Sequence, residues 1–275
     1  MARLYRIVGR VIALSVIGAM LATVPHGAST IAQNDAPLTI GVAANFTRAM
    51  QAIARRFERE TDASITLTFA STGTLYAQIT NGYPVDAFFA ADVERPRRLE
   101  QAGAIVEGSR FTYALGQPVL WSADPDLVDP AGDVLERGDF RRLAIADPTL
   151  APYGEAARQV LIERGVWEAL EPKIVFAQNV NQAHQFITSG NAQLGFVGLS
   201  QVIDPETGKI DGSHWHPAQA MYDPVEQQAV ILKRTQRREL ADAFMAFVRG
   251  AQGAEIIRAF GYALPDAEEP SAKSD

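Results

Sequence analysis

The chain has 275 residues, of which 47% are hydrophobic and 21% charged, so it is long enough to bury a large core in one or two domains. Its formal net charge is −7, and no basic stripe that would suit nucleic acid stands out in the sequence. Cysteine is absent, which excludes disulfides, thiolate nucleophiles and cysteine-based zinc sites.

The first 32 residues have the pattern of a signal peptide. Three arginines precede an apolar run at 11–24 that is too short to span a bilayer comfortably. Small residues follow, and cleavage after Ala32 fits the small-residue rule. An uncleaved membrane anchor is the alternative interpretation. We therefore expect an exported, periplasmic protein whose mature chain begins near Gln33.

The rest of the chain alternates between strand-like and helix-like segments. Phe46, Met50, Ile53 and Phe57 recur at helical spacing and predict one amphipathic helix of this series. Short apolar runs predict strands at 38–44, 64–70, 85–91, 142–147, 173–178 and 194–199. This alternation favours an α/β fold with mainly parallel sheets. The polar tail at 268–275 is expected to be disordered.

Two long extended stretches, 110–122 and 224–232, interrupt the alternation. If both cross between two lobes, the chain passes from a first lobe to a second and then returns. This predicts two lobes, each a mainly parallel sheet flanked by helices, joined by two hinge crossovers. The first lobe would comprise 33–116 with 226–267, and the second 117–225. One continuous sheet with two long strands is the alternative.

Small or polar residues stand at four predicted junctions between a strand and a helix, around Asn45, Thr72, Tyr153 and Val180. The first N–H groups of a helix lack intrahelical acceptors, and aligned peptide dipoles give each start about half a positive charge. In open α/β sheets such starts gather at the carboxyl edge, where ligands bind. The four junctions together predict an anion site in the cleft, although each alone is explained by ordinary helix capping.

Several stretches match a known pattern: VAANFTRAM, FASTGTLYAQITNGYPVDAFFAAD, IADPTLAPYG, NVNQAHQFITSGNAQLGFVGLSQ and GSHWHPAQAMYDPVEQQAVI. With them the chain resembles the periplasmic molybdate-binding proteins, the substrate-binding subunits of molybdate ABC importers, over nearly all of its length after the leader. The resemblance implies a two-lobed periplasmic binding protein fold of the type II kind, with a hinged cleft. It implies capture of molybdate and tungstate without catalysis or a cofactor, and delivery to a membrane permease. We expect a monomer.

Carried over residue by residue, the resemblance implies a set of ligands for the oxyanion: Ala44, Asn45, Ser71, Thr72, Tyr153 and Val180. Asn45 takes the small polar position after the first strand, and Ala44 contributes its backbone amide. Thr72 takes the hydroxyl position of the second junction, and Val180 is a backbone donor. Molybdenum is then held as molybdate through these residues, with no direct cation site.

The donor set bears on selectivity. Gly198 stands where some relatives have a tyrosine, so a hydroxyl that contacts the anion there is missing. The four junctions supply no lysine, and Arg48 is expected to be solvated at the surface. A site without an inward carboxylate has no acceptor for the O–H of hydrogen phosphate, so we expect fully deprotonated molybdate, tungstate and sulfate to be preferred. Glu155 is the carboxylate that would change this if it turned inward.

Two other functions are compatible with the sequence. An exported hydrolase would need a nucleophile with a base, or a metal. His214 and His216 could form a zinc pair but have no evident third ligand, and Ser71 and Ser189 lack the G-x-S-x-G setting of a serine hydrolase. The other alternative keeps the fold and changes the cargo to sulfate or another small anion.

Overall fold

The computed structural model describes residues 36–265. The predicted signal peptide at 1–32, the first residues of the predicted mature chain and the predicted tail at 268–275 lie outside this range. Among the helices of the described part, none combines the length and the apolar character needed to cross a membrane.

Strands and helices alternate along most of the described chain. The strands are β1 (Leu38–Ala43), β2 (Ile65–Ala70), β3 (Ala87–Phe89), β4 (Phe111–Gly116), β5 (Pro118–Ser122), β6 (Leu143–Ala146), β7 (Ile174–Ala177), β8 (Leu194–Gly198), β9 (Ser213–Trp215) and β10 (Val225–Ile231). The α-helices are α1 (Thr47–Thr61), α2 (Thr72–Thr80), α3 (Glu94–Gln101), α4 (Val134–Arg137), α5 (Pro152–Glu163), α6 (Trp167–Leu170), α7 (Val180–Thr188), α8 (Leu199–Val202), α9 (Arg238–Arg249) and α10 (Ala251–Ala259).

The strands form two separate five-stranded sheets, and each sheet with its helices makes one lobe. In lobe 1 the order is β2-β1-β3-β10-β4, with β1 parallel to β2 and β3 and with β10 antiparallel to both neighbours. In lobe 2 the order is β7-β6-β8-β5-β9, with β6 parallel to β7 and β8. This two-lobed α/β architecture confirms the predicted fold class and excludes one continuous sheet. Each sheet is mixed rather than mainly parallel, because β10 in lobe 1 and β5 in lobe 2 run antiparallel to both of their neighbours.

The chain moves between the sheets through short connections. Gln117 alone separates β4 of lobe 1 from β5 of lobe 2, so the extended stretch at 110–122 does cross between the lobes. The return connection lies between β9 and β10. Within the described residues, β10 pairs only with strands of lobe 1. The second predicted stretch, 224–232, therefore enters lobe 1 at Val225, and the crossing between the lobes lies before it.

The apolar face predicted for the first helix is buried in lobe 1. Phe46, Met50, Ile53 and Phe57 are at most 2% exposed, and the ring of Phe57 lies 5.2 Å from that of Phe244 on α9. Burial of such side chains contributes about 1.5–3 kcal/mol each, which fixes α1 and the turn before it against the sheet. The carboxyl end of β1 is therefore held firmly at the edge that faces lobe 2.

One predicted strand is shorter than expected, for a reason that bears on the site. The run at 85–91 forms a strand only over Ala87–Phe89. Beyond it, the N–H of Ala90 donates to Gln228 O at 2.9 Å, and the N–H of Ala91 donates to Thr72 Oγ1 at 3.0 Å. After Phe89 the chain thus leaves the sheet, and Ala91 bonds to the first residue of α2.

Candidate functional site

A small cavity lies between the lobes at the carboxyl ends of their parallel strands. Its lining comes from both lobes and consists of Ala43, Ala44, Asn45, Ser71, Thr72, Ala91, Ala151, Pro152, Tyr153, Asn179 and Val180. The structure therefore brings all of the predicted ligand residues together. The cavity volume is about 10 Å³, so the space suits one small group.

Asn45 belongs to a 3-10 turn, Ala44–Phe46, that directly follows β1. The sequence had suggested that its side chain caps a helix, but it makes no such bond. Its Nδ2 instead donates to Gln227 Oε1 at 2.7 Å and to Tyr262 Oη at 3.2 Å. These side chains are buried, so an amide with unpaired hydrogens would be costly there. The Asn45 main-chain N–H lies at the beginning of the turn, where no acceptor within the turn is available.

The second junction supplies two hydroxyl groups with different roles. Ser71 is the N-cap of α2, and its Oγ lies 3.3 Å from the Thr74 N and 2.7 Å from the Thr74 Oγ1. Thr72 is 1% exposed, and its Oγ1 accepts the N–H of Ala91. Because that contact uses the Thr72 oxygen as an acceptor, the hydroxyl proton can be donated to a ligand.

Tyr153 stands in the first turn of α5, after Pro152, and is 3% exposed. Among the described residues its Oη has no hydrogen-bond partner, which is unusual for a buried phenol. Burial raises the pKa of Tyr153 well above its usual value, so the hydroxyl stays protonated and can donate. The group therefore has an unused donor beside a cavity that suits an acceptor.

Two glycines leave room for this tyrosine. A Cβ on Gly198 would lie 3.2 Å from Tyr153 Cε1, and a Cβ on Gly116 would lie 2.3 Å from Tyr153 Oη. A tyrosine at position 198 would thus compete with the ring of Tyr153 for the same space. Position 198 itself supplies no hydroxyl, and the ring of Tyr153 lies in the space beside it.

Val180 is the first residue of α7, whose N-cap Asn179 accepts the N–H of Gln182 at 3.1 Å. The Val180 side chain is buried in the core of lobe 2, so only its main chain can serve a ligand. Its N–H lies in the first turn and lacks an intrahelical acceptor. The next residue, Asn181, donates from Nδ2 to Thr47 Oγ1 of lobe 1 at 3.0 Å, which holds the two lobes together beside the cavity.

Among the described residues, no ionisable carboxylate or amine lines the cavity. Glu155 turns away and pairs with Arg158, whose Nη2 lies 2.7 Å from Glu155 Oε1. The lining instead includes the first turns of α2, α5 and α7 and the 3-10 turn after β1. The helix starts direct partial positive charge at the cavity without a formal charge. The site is suited to a small anion that carries no proton.

Three residues around the site were not identified from the sequence. Gln227 and Tyr262 hold the Asn45 side chain, and Ser200 Oγ donates to the Asn45 carbonyl at 2.9 Å. A glutamine inside the apolar strand run of β10 was the available signal for Gln227. The expectation for Arg48 was wrong, since the side chain is partly buried and its Nη1 donates to Ser200 O and Ile203 O of lobe 2.

The histidines do not form a metal centre in the described part of the chain. His214 and His216 lie on and beside the edge strand β9 with ring centroids 5.2 Å apart, and no group of three or more metal-ligating side chains occurs within residues 36–265. His184 stacks on Trp121 at 5.2 Å, and burial lowers its pKa. His184 is thus a packing residue, whereas His214 and His216 contact each other at the edge of the sheet.

Comparison with known proteins agrees with this geometry. The model of the family described as bacterial extracellular solute-binding protein matches residues 38–263. The molybdate-binding protein ModA of Azotobacter vinelandii is 45% identical over 239 residues, covering 86% of this chain and 94% of that protein. ModA of Rhodobacter capsulatus is 45% identical over 221 residues, covering 80% and 86%. The solved A. vinelandii periplasmic molybdate-binding protein superposes with a TM-score of 0.81 at 44% identity, covering 83% of this chain and 99% of that one.

Proposed function

The chain belongs to the family of bacterial extracellular solute-binding proteins, and within it to the molybdate-binding proteins, and from this premise we propose that it captures molybdate between its two lobes. Its role is binding for transport, not catalysis. The observation that supports the site is the cavity itself: hydroxyls and helix starts from both lobes converge on it, and no carboxylate lines it.

The proposed ligands are the residues implied by the sequence, with roles set by their contacts. Thr72 and Tyr153 donate hydroxyl protons, and Ala44, Asn45 and Val180 donate through the main chain. Ser71 acts through the helix it caps. Each hydrogen bond to a charged acceptor contributes about 1.5–3 kcal/mol, so a few such bonds account for tight binding of a dianion. Closure removes water and strengthens each of them.

The same donor set explains why a protonated anion is disfavoured. Hydrogen phosphate would bring an O–H into a cavity whose free groups are donors, and the unpaired hydroxyl would cost about 1–3 kcal/mol. Molybdate, tungstate and sulfate have no such proton near neutral pH. We propose that molybdate and tungstate are the cargo, and that sulfate is the competing anion to test.

Calorimetric titration of the purified protein with the four anions at pH 7.5 tests this function. We expect molybdate and tungstate to bind with similar affinity and phosphate to bind at least about tenfold more weakly. Phosphate binding equal to that of molybdate would contradict the selectivity argument. Absence of molybdate binding, with sulfate bound tightly, would replace the cargo with sulfate.

The family is one of extracellular proteins, so the protein works outside the cytoplasm. We propose that residues 1–32 are a cleavable signal peptide, that the mature protein is a periplasmic monomer, and that it delivers the anion to the membrane permease of an ABC importer. The proposed lobes are 33–116 with 226–267, and 117–225. Mass spectrometry of the mature protein from the periplasm would show whether the chain begins near Gln33.

A further inference from the structure

Helix α8 of lobe 2 packs beside α1 of lobe 1, outside the cavity. Arg48 on α1 reaches across, and its Nη1 donates to Ser200 O and to Ile203 O, each at 2.9 Å. Within lobe 1 its guanidinium lies 5.2 Å from the centre of the Phe260 ring. We propose that Arg48 determines anion affinity by holding the lobes closed, so that its main effect is on the rate of release.

The chemistry of this contact favours the closed state. Ser200 and Ile203 lie in and just after α8, where helix carbonyls lack intrahelical partners. A cationic donor such as the guanidinium satisfies these carbonyls with charge-assisted hydrogen bonds. Both hydrogen-bond partners of Arg48 within residues 36–265 belong to lobe 2, so opening the cleft breaks both bonds.

The contact is connected to the anion site through one residue of α8. Ser200 Oγ donates to Asn45 O at 2.9 Å, and Tyr262 Oη, which also bonds to Asn45 O at 2.7 Å, lies 2.9 Å from Ser200 Oγ. The helix that Arg48 holds is therefore bonded to the turn that lines the cavity. Arg48 itself does not line the cavity, so it acts on the anion through the position of the lobes.

A second arginine of lobe 1 makes a similar contact but differs in one respect. Arg95 Nη2 donates to Thr149 O of lobe 2 at 3.1 Å, near the interlobe bond from Gly73 N to Leu150 O at 2.9 Å. Arg95 also pairs with Asp92 on its own lobe, so it keeps a partner when the lobes separate. Arg48 has no carboxylate partner among the described residues, and its bonds contribute only to the closed form.

The test compares Arg48→Gln with Arg56→Gln. Arg56 lies on the same helix and its side chain is 47% exposed. In the described part of the chain it pairs only with Glu60, four residues on, so its loss matches the change in charge without touching lobe 2. The inference rests on the proposed function, and the probe is molybdate itself. We expect stopped-flow experiments to show about ten- to hundredfold faster release for Arg48→Gln, with association changed less than about threefold. Arg56→Gln should match the unmodified protein.

Three readouts separate closure from other roles. The ratio of molybdate to sulfate affinity should stay unchanged in Arg48→Gln, because no contact with the anion is lost. Arg48→Lys, which keeps the charge, should restore part of the slow release. Small-angle scattering in saturating molybdate should show a larger open fraction for Arg48→Gln than for Arg56→Gln.

Unchanged release in Arg48→Gln, or a changed molybdate-to-sulfate ratio, would overturn the inference while leaving the proposed function intact. If the unmodified protein does not bind molybdate, the proposed function fails instead. If Arg48→Gln does not fold, Arg48→Lys decides the question. Release as slow as that of the unmodified protein, together with an unchanged open fraction, would show that bridging both carbonyls is unimportant and would overturn the inference.

Discussion

The two halves of the cavity differ in how their polar groups are occupied. In lobe 1, the side chains of Asn45, Ser71 and Thr72 already have hydrogen-bond partners within their own lobe. In lobe 2, the hydroxyl of Tyr153 is buried and has no hydrogen-bond partner within residues 36–265. These lobe 1 side chains are thus held in place by internal bonds, although Gln227 Nε2 behind Asn45 is itself unpartnered among the described residues, whereas lobe 2 presents a hydroxyl that the proposed anion would pair.

This difference has an energetic consequence for capture. Side chains held by internal bonds lose little freedom on binding, so the anion can meet lobe 1 at low entropic cost. Burying the Tyr153 phenol without a hydrogen-bond partner costs about 1–3 kcal/mol. An anion that accepts a hydrogen bond from this hydroxyl removes the cost, so ligand binding and closure of the lobes favour each other.

The largest effect is expected from Gly116→Ala, which tests whether lobe 2 must approach lobe 1 closely. The added methyl would lie 2.3 Å from Tyr153 Oη and 2.9 Å from Gln227 Nε2, so the tyrosine cannot take its closed position and the glutamine that holds Asn45 must also shift. We expect molybdate affinity measured by calorimetry to fall by at least about a hundredfold. Gly41→Ala is the control, since its nearest neighbour would be 3.5 Å away, at ordinary contact distance. Retained affinity in Gly116→Ala would show that Tyr153 can move aside.

The next prediction compares one hydroxyl from each lobe. Tyr153→Phe and Thr72→Ala should each lower molybdate affinity by about ten- to hundredfold, because each removes one donor to a dianion. The thermal stability of the anion-free protein should fall only in Thr72→Ala, where the N–H of Ala91 loses its acceptor. Tyr153→Phe removes no internal bond and should leave the Tm unchanged or raise it.

Calorimetry and thermal melts of both variants, with Tyr76→Phe as a control outside the cavity, measure this contrast. Equal loss of stability in Tyr153→Phe and Thr72→Ala would contradict the difference between the lobes. Unchanged affinity in both variants would argue against the proposed ligand set.

A smaller effect concerns pH. Burial raises the pKa of Tyr113, Tyr153 and Tyr262, so these phenols stay protonated in the folded protein while unfolded tyrosine titrates near pH 10. The unfolded state therefore binds fewer protons above about pH 10, and the free energy of unfolding falls as the pH rises further. Below pH 10 the contribution is fully present.

Urea unfolding at several pH values measures this slope, and Tyr153→Phe should make it shallower by about one proton, or about 1.4 kcal/mol per pH unit. Molybdate affinity should be nearly constant from pH 6 to 9, because no carboxylate, amine or imidazole lines the cavity. A steep change of affinity within that window would indicate a titrating group in contact with the anion.

The smallest effect on affinity is expected from Ser71→Ala. The Ser71 hydroxyl is engaged by Thr74 at the start of α2, so its loss should lower the free energy of unfolding by about 1 kcal/mol. Molybdate affinity should change less than about threefold. Ser64→Ala, at an exposed position, serves as the control for both measurements. A tenfold loss of molybdate affinity would indicate that Ser71 contacts the anion directly. Lobe 1 would then also contribute a side chain that is not fully occupied by internal bonds.

Much of the fold followed from local pattern. The strand runs and the apolar face of Phe46, Met50, Ile53 and Phe57 predicted the alternation, because side chains repeat every two residues in a strand and every 3.6 in a helix. Strand ends were less predictable: β3 ends at Phe89 because the next amides bond to Gln228 and Thr72, which are distant in sequence.

Sequence alone determined the kinds of group available to the site: short polar residues at four helix starts, a tyrosine after a proline, and no cysteine or junction lysine. These features are local, so residue order is enough to reveal them. Tertiary structure alone decided which of those groups are free. The Asn45 amide is occupied by Gln227, the Tyr153 hydroxyl is unpaired beside Gly116, and Arg48 bonds to lobe 2. Each outcome depends on partners more than 35 residues away, whose approach is set by the packing of both lobes.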